Sequence, residues 1–228
     1  GTNTEIALWD GRTLWVTSTP GGPAFEGCGI RHGMPAEPGA IHRIRARGDG
    51  FELSVLAHGT PHGLCGSGLV DFLAVLVVSG RLDARGRFTA KVPRGSCTLA
   101  RGEHEIVLGK ADVDVLQRAK AALGAGMETL LAAAGMTRDD LRRVCVAGAF
   151  GRFLDVPNAQ AIGLLPTVPE GRVELHVDTA LAGCEAALFS TQAVARFRRL
   201  AETATIINLS KSPDFDILFL RHLYLQPW

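Results

Sequence analysis

The spacing of apolar and polar positions changes period several times along this chain, and each change marks an element. Residues 6–9 and 13–18 are short β-prone runs, joined through Asp10-Gly11, a dipeptide suited to a tight hairpin turn. A stretch rich in Gly and Pro follows at 20–39. Ile41, Arg43, Ile44 and Arg45 alternate imperfectly, which predicts a third strand over 41–47 with 51–56 as its partner. The Gly-rich turn at 63–68 leads into an apolar segment, 69–79, that Gly80 closes as a helix stop. Short strands and turns are predicted over 88–108. Asp112 opens a long helix through Ala134, with Gly135 as its stop. On that helix Leu116, Ala119, Leu123, Met127, Leu130 and Leu131 share one packed face. Thr137 and Asp140 have capping-box spacing. A buried strand is predicted at 144–146, another at 173–177 and a single helix at 180–200. The tail, 206–225, holds two β-prone runs.

Without its middle, this order reads β-β-β-α, then an insertion ending in a helix, then β-α-β-α. That is the α/β, ribonuclease-H-like order found in each half of actin-like ATPases. It predicts a core over 1–80 and 136–228 with an inserted α+β lobe over 81–135. It also predicts that 6–9 and 144–146 lie in one sheet.

Composition narrows the classes. The chain has 228 residues, 46% of them hydrophobic, enough for a sizeable core. A net charge of +1 gives no field for nucleic acid or an anionic membrane. The densest basic run, Arg196, Arg198 and Arg199, reads as a solvated helix end. Five scattered cysteines without a CxxC pair predict reduced thiols, a cytoplasmic setting and no cluster site in this chain. The longest apolar stretch, 69–78, contains Asp71 and is too short to span a bilayer. The first residue is Gly1, without Met, on what reads as a turn, so a piece of a longer protein is expected.

Several short motifs offer chemistry. Gly1-Thr2-Asn3-Thr4-Glu5 combines a backbone free to approach a ligand with hydroxyl and amide donors, which suits a phosphate or simply a polar turn. Ala147-Gly148-Ala149-Phe150-Gly151 follows a buried strand. Small residues there let a flat ligand lie on the backbone, or merely make a tight strand-to-helix turn. Glu26, alone among small residues in Gly22 to Gly27, either orients water or a metal or is only solvated. Cys65 in the turn 63–68 is a nucleophile candidate beside His58 and His62, and the three could equally hold a metal. Gln117 and Lys120, three apart on the long helix, share a face that could meet a ribose or base, or stay a solvated stripe.

In their joint order, GTNTEIAL, GPAFEG, GMPAEPGAI, GLCGSGLVD, DVDVLQRAKAALGAG, VAGAFGRFLDVPNAQAIGLLP and ALAGCEAAL resemble the C-terminal domain of reductive activators of corrinoid proteins. The resemblance covers most of the chain. It implies an acetate-kinase, sugar-kinase, heat-shock-ATPase and actin type of fold, in which two ribonuclease-H-like halves clamp ATP and a metal such as Mg. It implies an activity: ATP hydrolysis coupled to passing a low-potential electron from an iron–sulfur cluster, held elsewhere in the parent protein, to cob(II)amide on a corrinoid protein. It further implies that Gly1, Thr2, Asn3 and Thr4 form the second phosphate loop. Gly148, Ala149, Phe150 and Gly151 would form the adenosine motif, and Gln117 and Lys120 the nucleoside-facing helix. Glu26 is the candidate near metal or water; the metal ligands are not assigned.

The aspartate of the family pattern two residues before Gly1 falls ahead of the given sequence, which departs from the pattern at two places: Thr4 replaces a Gly, and Asp178-Thr179 stand for Gly-Asn. The first phosphate loop and a ferredoxin-like cluster domain are expected upstream. The implied partner is a corrinoid protein, with a homodimer left open. Two rival readings are a docking module of the same fold without ATPase activity, and a hydrolase using Cys65.

Overall fold

The Asp10 carboxylate accepts hydrogen bonds from the backbone N–H groups of Arg12 and Thr13, both at 2.7 Å, and from the indole of Trp15 at 2.9 Å. It thereby closes the hairpin of β1 (Thr4–Trp9) and β2 (Leu14–Thr19). These donors hold its carboxyl below the usual carboxylate range, backbone contacts first. In this computed structural model, residues 3–92, 94–100 and 105–228 are described, with only the backbone of Ala149 and Phe150.

The second edge of β2 pairs in parallel with a two-residue strand from the tail, β10 (Thr205–Ile206). The third strand predicted for this sheet lies elsewhere. β3 (Ala40–Arg47) sits between β4 (Gly50–Val55), antiparallel, and β5 (Gly63–Leu64), parallel. The 20–39 loop is long enough to carry the chain away from β2 into this second sheet. Helix α1 (Gly66–Val78) packs on β3 and is buried on nearly every side, as its almost unbroken apolar sequence requires.

A hairpin of β6 (Ser96–Ala100) and β7 (Ile106–Gly109) precedes α2 (Lys110–Ala133). Buried Asp112 caps this helix by accepting from the Gly109 N–H at 2.8 Å, and its other oxygen accepts from the Arg31 N–H at 2.8 Å. Gly135, with φ of +64°, follows the end of α2. Within the span read as an inserted lobe, α2 lies against β1 and β2 and shares buried side chains with the single large core.

Two parallel strands, β8 (Val144–Ala147) and β9 (Val173–His176), form a separate pair, with the short helix α3 (Val156–Ala161) between them in sequence. The expectation of one sheet for 6–9 and 144–146 is therefore corrected. β1 and β8 belong to different hydrogen-bonded sheets and border a cleft of about 1270 Å³.

Two further expectations change. The helix predicted over 180–200 is two helices, α4 (Thr179–Phe189) and α5 (Thr191–Thr203). Ser190 is extended, and its hydroxyl caps α5 by accepting from the Ala193 N–H at 3.2 Å. The second β-prone run of the tail is a helix, α6 (Phe215–His222). Its spacing of Phe215, Leu218, Phe219 and His222 is helical, and α6 packs along α2. Among the described residues no helix is long and apolar enough to cross a membrane.

Candidate functional site

Strand β8 ends in the turn that the small residues predict. Gly148 has φ of +111° and ψ of 169°, a conformation that side chains rarely adopt, and a Cβ placed there would meet no atom within 4 Å. The position is both backbone-demanding and open. The Gly148 N–H donates to the His176 carbonyl at 2.8 Å, and Gly151 N–H to the Gly148 carbonyl at 3.0 Å. The side chains of Ala149 and Phe150 lie outside the described residues.

A charged network fixes the far end of this turn. Arg43 on β3 donates from Nη2 to the Phe153 carbonyl at 3.1 Å and from Nη1 to Asp155 Oδ2 at 2.5 Å. Nη1 also lies 3.6 Å from fully buried Asp71 on α1. Asp71 accepts from the Ile44 N–H at 3.0 Å and from Asn158 Nδ2 at 2.7 Å, while Asp155 caps α3 at the Asn158 N–H. Burial pushes the Asp71 carboxyl up against the opposing pull of these donors and of Arg43. The His42 ring lies 4.9 Å from that of Phe153, and burial lowers its basicity. Sequence reasoning missed this network. Its signal was a lone Asp inside an otherwise apolar run, a charge that burial tolerates only with partners.

Gln117 and Lys120 are both buried, and their polar atoms are engaged by the C-terminal segment. Gln117 Nε2 donates to the Leu223 carbonyl at 2.8 Å, and Lys120 Nζ to the carbonyls of His222 at 2.6 Å and Tyr224 at 2.5 Å. Burial lowers Lys120 to about 7. Gly124, one turn along α2, leaves room for the His222 ring, because a Cβ there would come within 2.3 Å of Nδ1. His222 Nε2 lies 3.2 Å from Glu128 Oε2, though out of hydrogen-bond alignment. The segment continues through Leu225, whose N–H donates to the Ala84 carbonyl at 2.7 Å, to Trp228, whose indole donates to the Gly163 carbonyl at 3.0 Å.

Of the remaining candidates, Gly1 and Thr2 lie outside the described residues. Asn3 Nδ2 donates to Ser18 Oγ at 3.1 Å, and Thr4 opens β1. Thr4 and Ala147 both line the cleft between β1 and β8, so the end of the phosphate motif and the start of the adenosine motif border one space. Asn3, Gly148, Gly151, Gln117, Lys120 and Glu26 are not among its lining residues. Glu26 ends a short 3₁₀ turn and is exposed.

Cys65 is buried, with Sγ 3.5 Å from both the Ile41 carbonyl and Ser67 Oγ, whereas His58 and His62 are exposed. The thiol is closed to a substrate, and the three do not gather as ligands, which removes both the hydrolase and the metal reading of that turn. All five cysteines are free.

The elements so arranged define an ASKHA-type domain, the class that includes acetate kinase, sugar kinases, heat-shock ATPases and actin. The family model described as the C-terminal domain of RACo, the ASKHA domain, matches residues 1–227, and the chain belongs to that family. It is 33% identical over 236 residues to the corrinoid activation enzyme RamQ of Eubacterium limosum, covering 94% of this chain and 40% of that protein. It is 29% identical over 188 residues to the [Co(II) methylated amine-specific corrinoid protein] reductase of Methanosarcina barkeri, covering 73% and 34%. A solved structure of a reductive activator for a corrinoid, iron–sulfur protein superposes with a TM-score of 0.89 at 34% identity, over 99% of this chain and 38% of the other. The chain thus spans two fifths or less of the length of these relatives.

Proposed function

We propose that this chain is the nucleotide-binding part of an ATP-dependent activator that reduces cob(II)amide to cob(I)amide on a corrinoid protein. Membership of the family and the names of the relatives support the corrinoid reading. The observation that carries the nucleotide reading is Gly148. Its left-handed backbone and open surroundings stand at the C-terminal end of a parallel strand, where α/β folds receive ligands.

In this reading Gly148, Ala149, Phe150 and Gly151 receive the adenosine. Gly1, Thr2, Asn3 and Thr4 donate to phosphate oxygens. Thr4 and Ala147 bordering one cleft supports a shared site. ATP supplies hydrolysis free energy when bound. The residues here orient it and supply neutral donors, while Mg would balance the phosphate charge. Glu26 is exposed and is not in the cleft lining, so it enters only as a remote candidate for metal or water. Gln117 and Lys120 would have to release the carbonyls at 222–224 to reach a nucleoside, and are left out of the site.

An iron–sulfur cluster does not fit this chain, because no group of several cysteines gathers among the described residues. The electron would come from another part of the parent protein.

The test is reduction of cob(II)amide on a corrinoid protein by the protein at the length of its relatives, with a low-potential reductant and with or without ATP. ATP-dependent reduction that Gly148→Val abolishes is expected. Reduction that ignores both ATP and the substitution would remove the reading.

A further inference from the structure

Cys145 on β8 and Glu174 on β9 are register partners, and Ala147 pairs with His176 two residues along. In parallel strands this places the side chains of Cys145, Glu174 and His176 together on one face. Their sulfur, carboxylate oxygen and imidazole nitrogen atoms all lie within 4.8 Å of one another. Glu174 Oε2 is the hub, 3.1 Å from His176 Nε2 and 3.9 Å from Cys145 Sγ.

We propose that Cys145, Glu174 and His176 form a site for a thiophilic divalent metal ion of the zinc class. One thiolate, one imidazole and one carboxylate are a donor set such ions take, with a solvent molecule completing a tetrahedron. Metal–ligand bonds of 2.0–2.3 Å at tetrahedral angles would put ligand atoms about 3.5 Å apart. Small rotations of exposed side chains on two paired strands reach that. Arg143 already grips Glu174, Nε to Oε1 at 2.7 Å and Nη2 to Oε2 at 2.8 Å. On binding, Oε2 turns to the ion and Arg143 stays on Oε1, the outer contact that orients a carboxylate ligand. The bound ion replaces the proton of Cys145, which is released to solvent.

Such an ion would cross-link β8 and β9 one step before the Gly148 turn, whose N–H is held by the carbonyl of His176 itself. The inference rests on the strand pair alone and not on the nucleotide reading.

The probe is Co²⁺ added to the reduced, metal-stripped chain. A thiolate-to-cobalt absorption band in the near ultraviolet is expected, reversed by Zn²⁺ or by a chelator. The exposed thiols are Cys28, Cys145 and Cys184. Zn²⁺ should shield only Cys145 from alkylation, read by peptide mass. The band should survive a Cys28→Ser/Cys184→Ser variant and vanish in Cys145→Ser. Affinity should fall roughly tenfold or more in His176→Ala and Glu174→Gln, at least the loss seen for outer-shell partners. Bound cobalt with no sulfur band, or wild-type affinity retained in Cys145→Ser and His176→Ala, would overturn the proposal, as would Zn²⁺ failing to shield Cys145.

Discussion

Lys120 on α2 donates to the carbonyl oxygen of His222, at 2.6 Å and across a separation of 102 residues. With Tyr224 and with Gln117 on Leu223, it closes the C-terminal segment onto the long helix. A polar pair at i, i+3 thus serves as a clasp inside the core. Lys120→Met would leave the His222 carbonyl without a donor, take one of the two donors from the Tyr224 carbonyl, which keeps the Gln226 N–H, and lower unfolding free energy by about 1–3 kcal/mol. Urea denaturation of the variant checks this. A change within error would mean the tail is held by its apolar contacts alone.

The same lysine gives a pH dependence with a definite sign. Burial lowers Lys120 to about 7, against 10.5 for a free side chain. Between those values the unfolded chain binds more protons than the folded one, so this group's contribution to stability rises with pH from about 7 to about 10. The neutral amine still has two N–H groups for the two carbonyls. The stability gap between wild type and Lys120→Met should therefore widen from pH 7 to pH 9.5 in chemical denaturation. A gap that narrows would show the ammonium to be the form the folded state prefers.

Gly148→Val tests the turn after β8. At φ of +111° a β-branched residue is strained, and its methyl groups would occupy the open space before the backbone. The expected result is a folded protein with weakened binding of a non-hydrolysable ATP analogue, measured by calorimetric titration. Unchanged affinity in a folded variant would remove the adenosine assignment.

Asp71 is fully buried and joins β3, α1 and α3 through Ile44, Arg43 and Asn158. Asp71→Ala would leave the Ile44 N–H and Asn158 Nδ2 without their acceptor, while Arg43 keeps Asp155, and would cost about 2–6 kcal/mol. Asn158→Ala, which removes one donor only, would cost about 1–3 kcal/mol. Combining the two should cost clearly less than their sum, since both cut one contact. Additive losses would show that the residues do not act together.

Leu188 and Phe189 at the end of α4 are 80% and 88% exposed. Replacing both by Ser should leave unfolding free energy within about 0.5 kcal/mol of wild type. A large loss, with sedimentation showing that the wild-type chain self-associates, would mean that this end is covered in solution.

What the sequence by itself determined is local. The β1–β2 hairpin follows from Asp10-Gly11, the α2 boundaries from Asp112 and Gly135, and the strand-to-turn passage at 144–151 from small residues after an apolar run. These features depend on neighbours within a few positions, and so do propensity and capping. Tertiary structure decided what local pattern cannot encode. β3 pairs with β4 and β5 rather than with β2, because a long Gly/Pro-rich loop leaves the choice of sheet to packing. Likewise β1 and β8 remain in separate sheets across a cleft. Gln117 and Lys120 looked like a surface stripe because nothing near them in sequence announces the segment at 222–224 that buries them. Asp71 was legible as an oddity, but Arg43 and Asn158 lie 28 and 87 residues away in sequence. A buried charge is stable only with partners, and only the folded chain brings those partners to it.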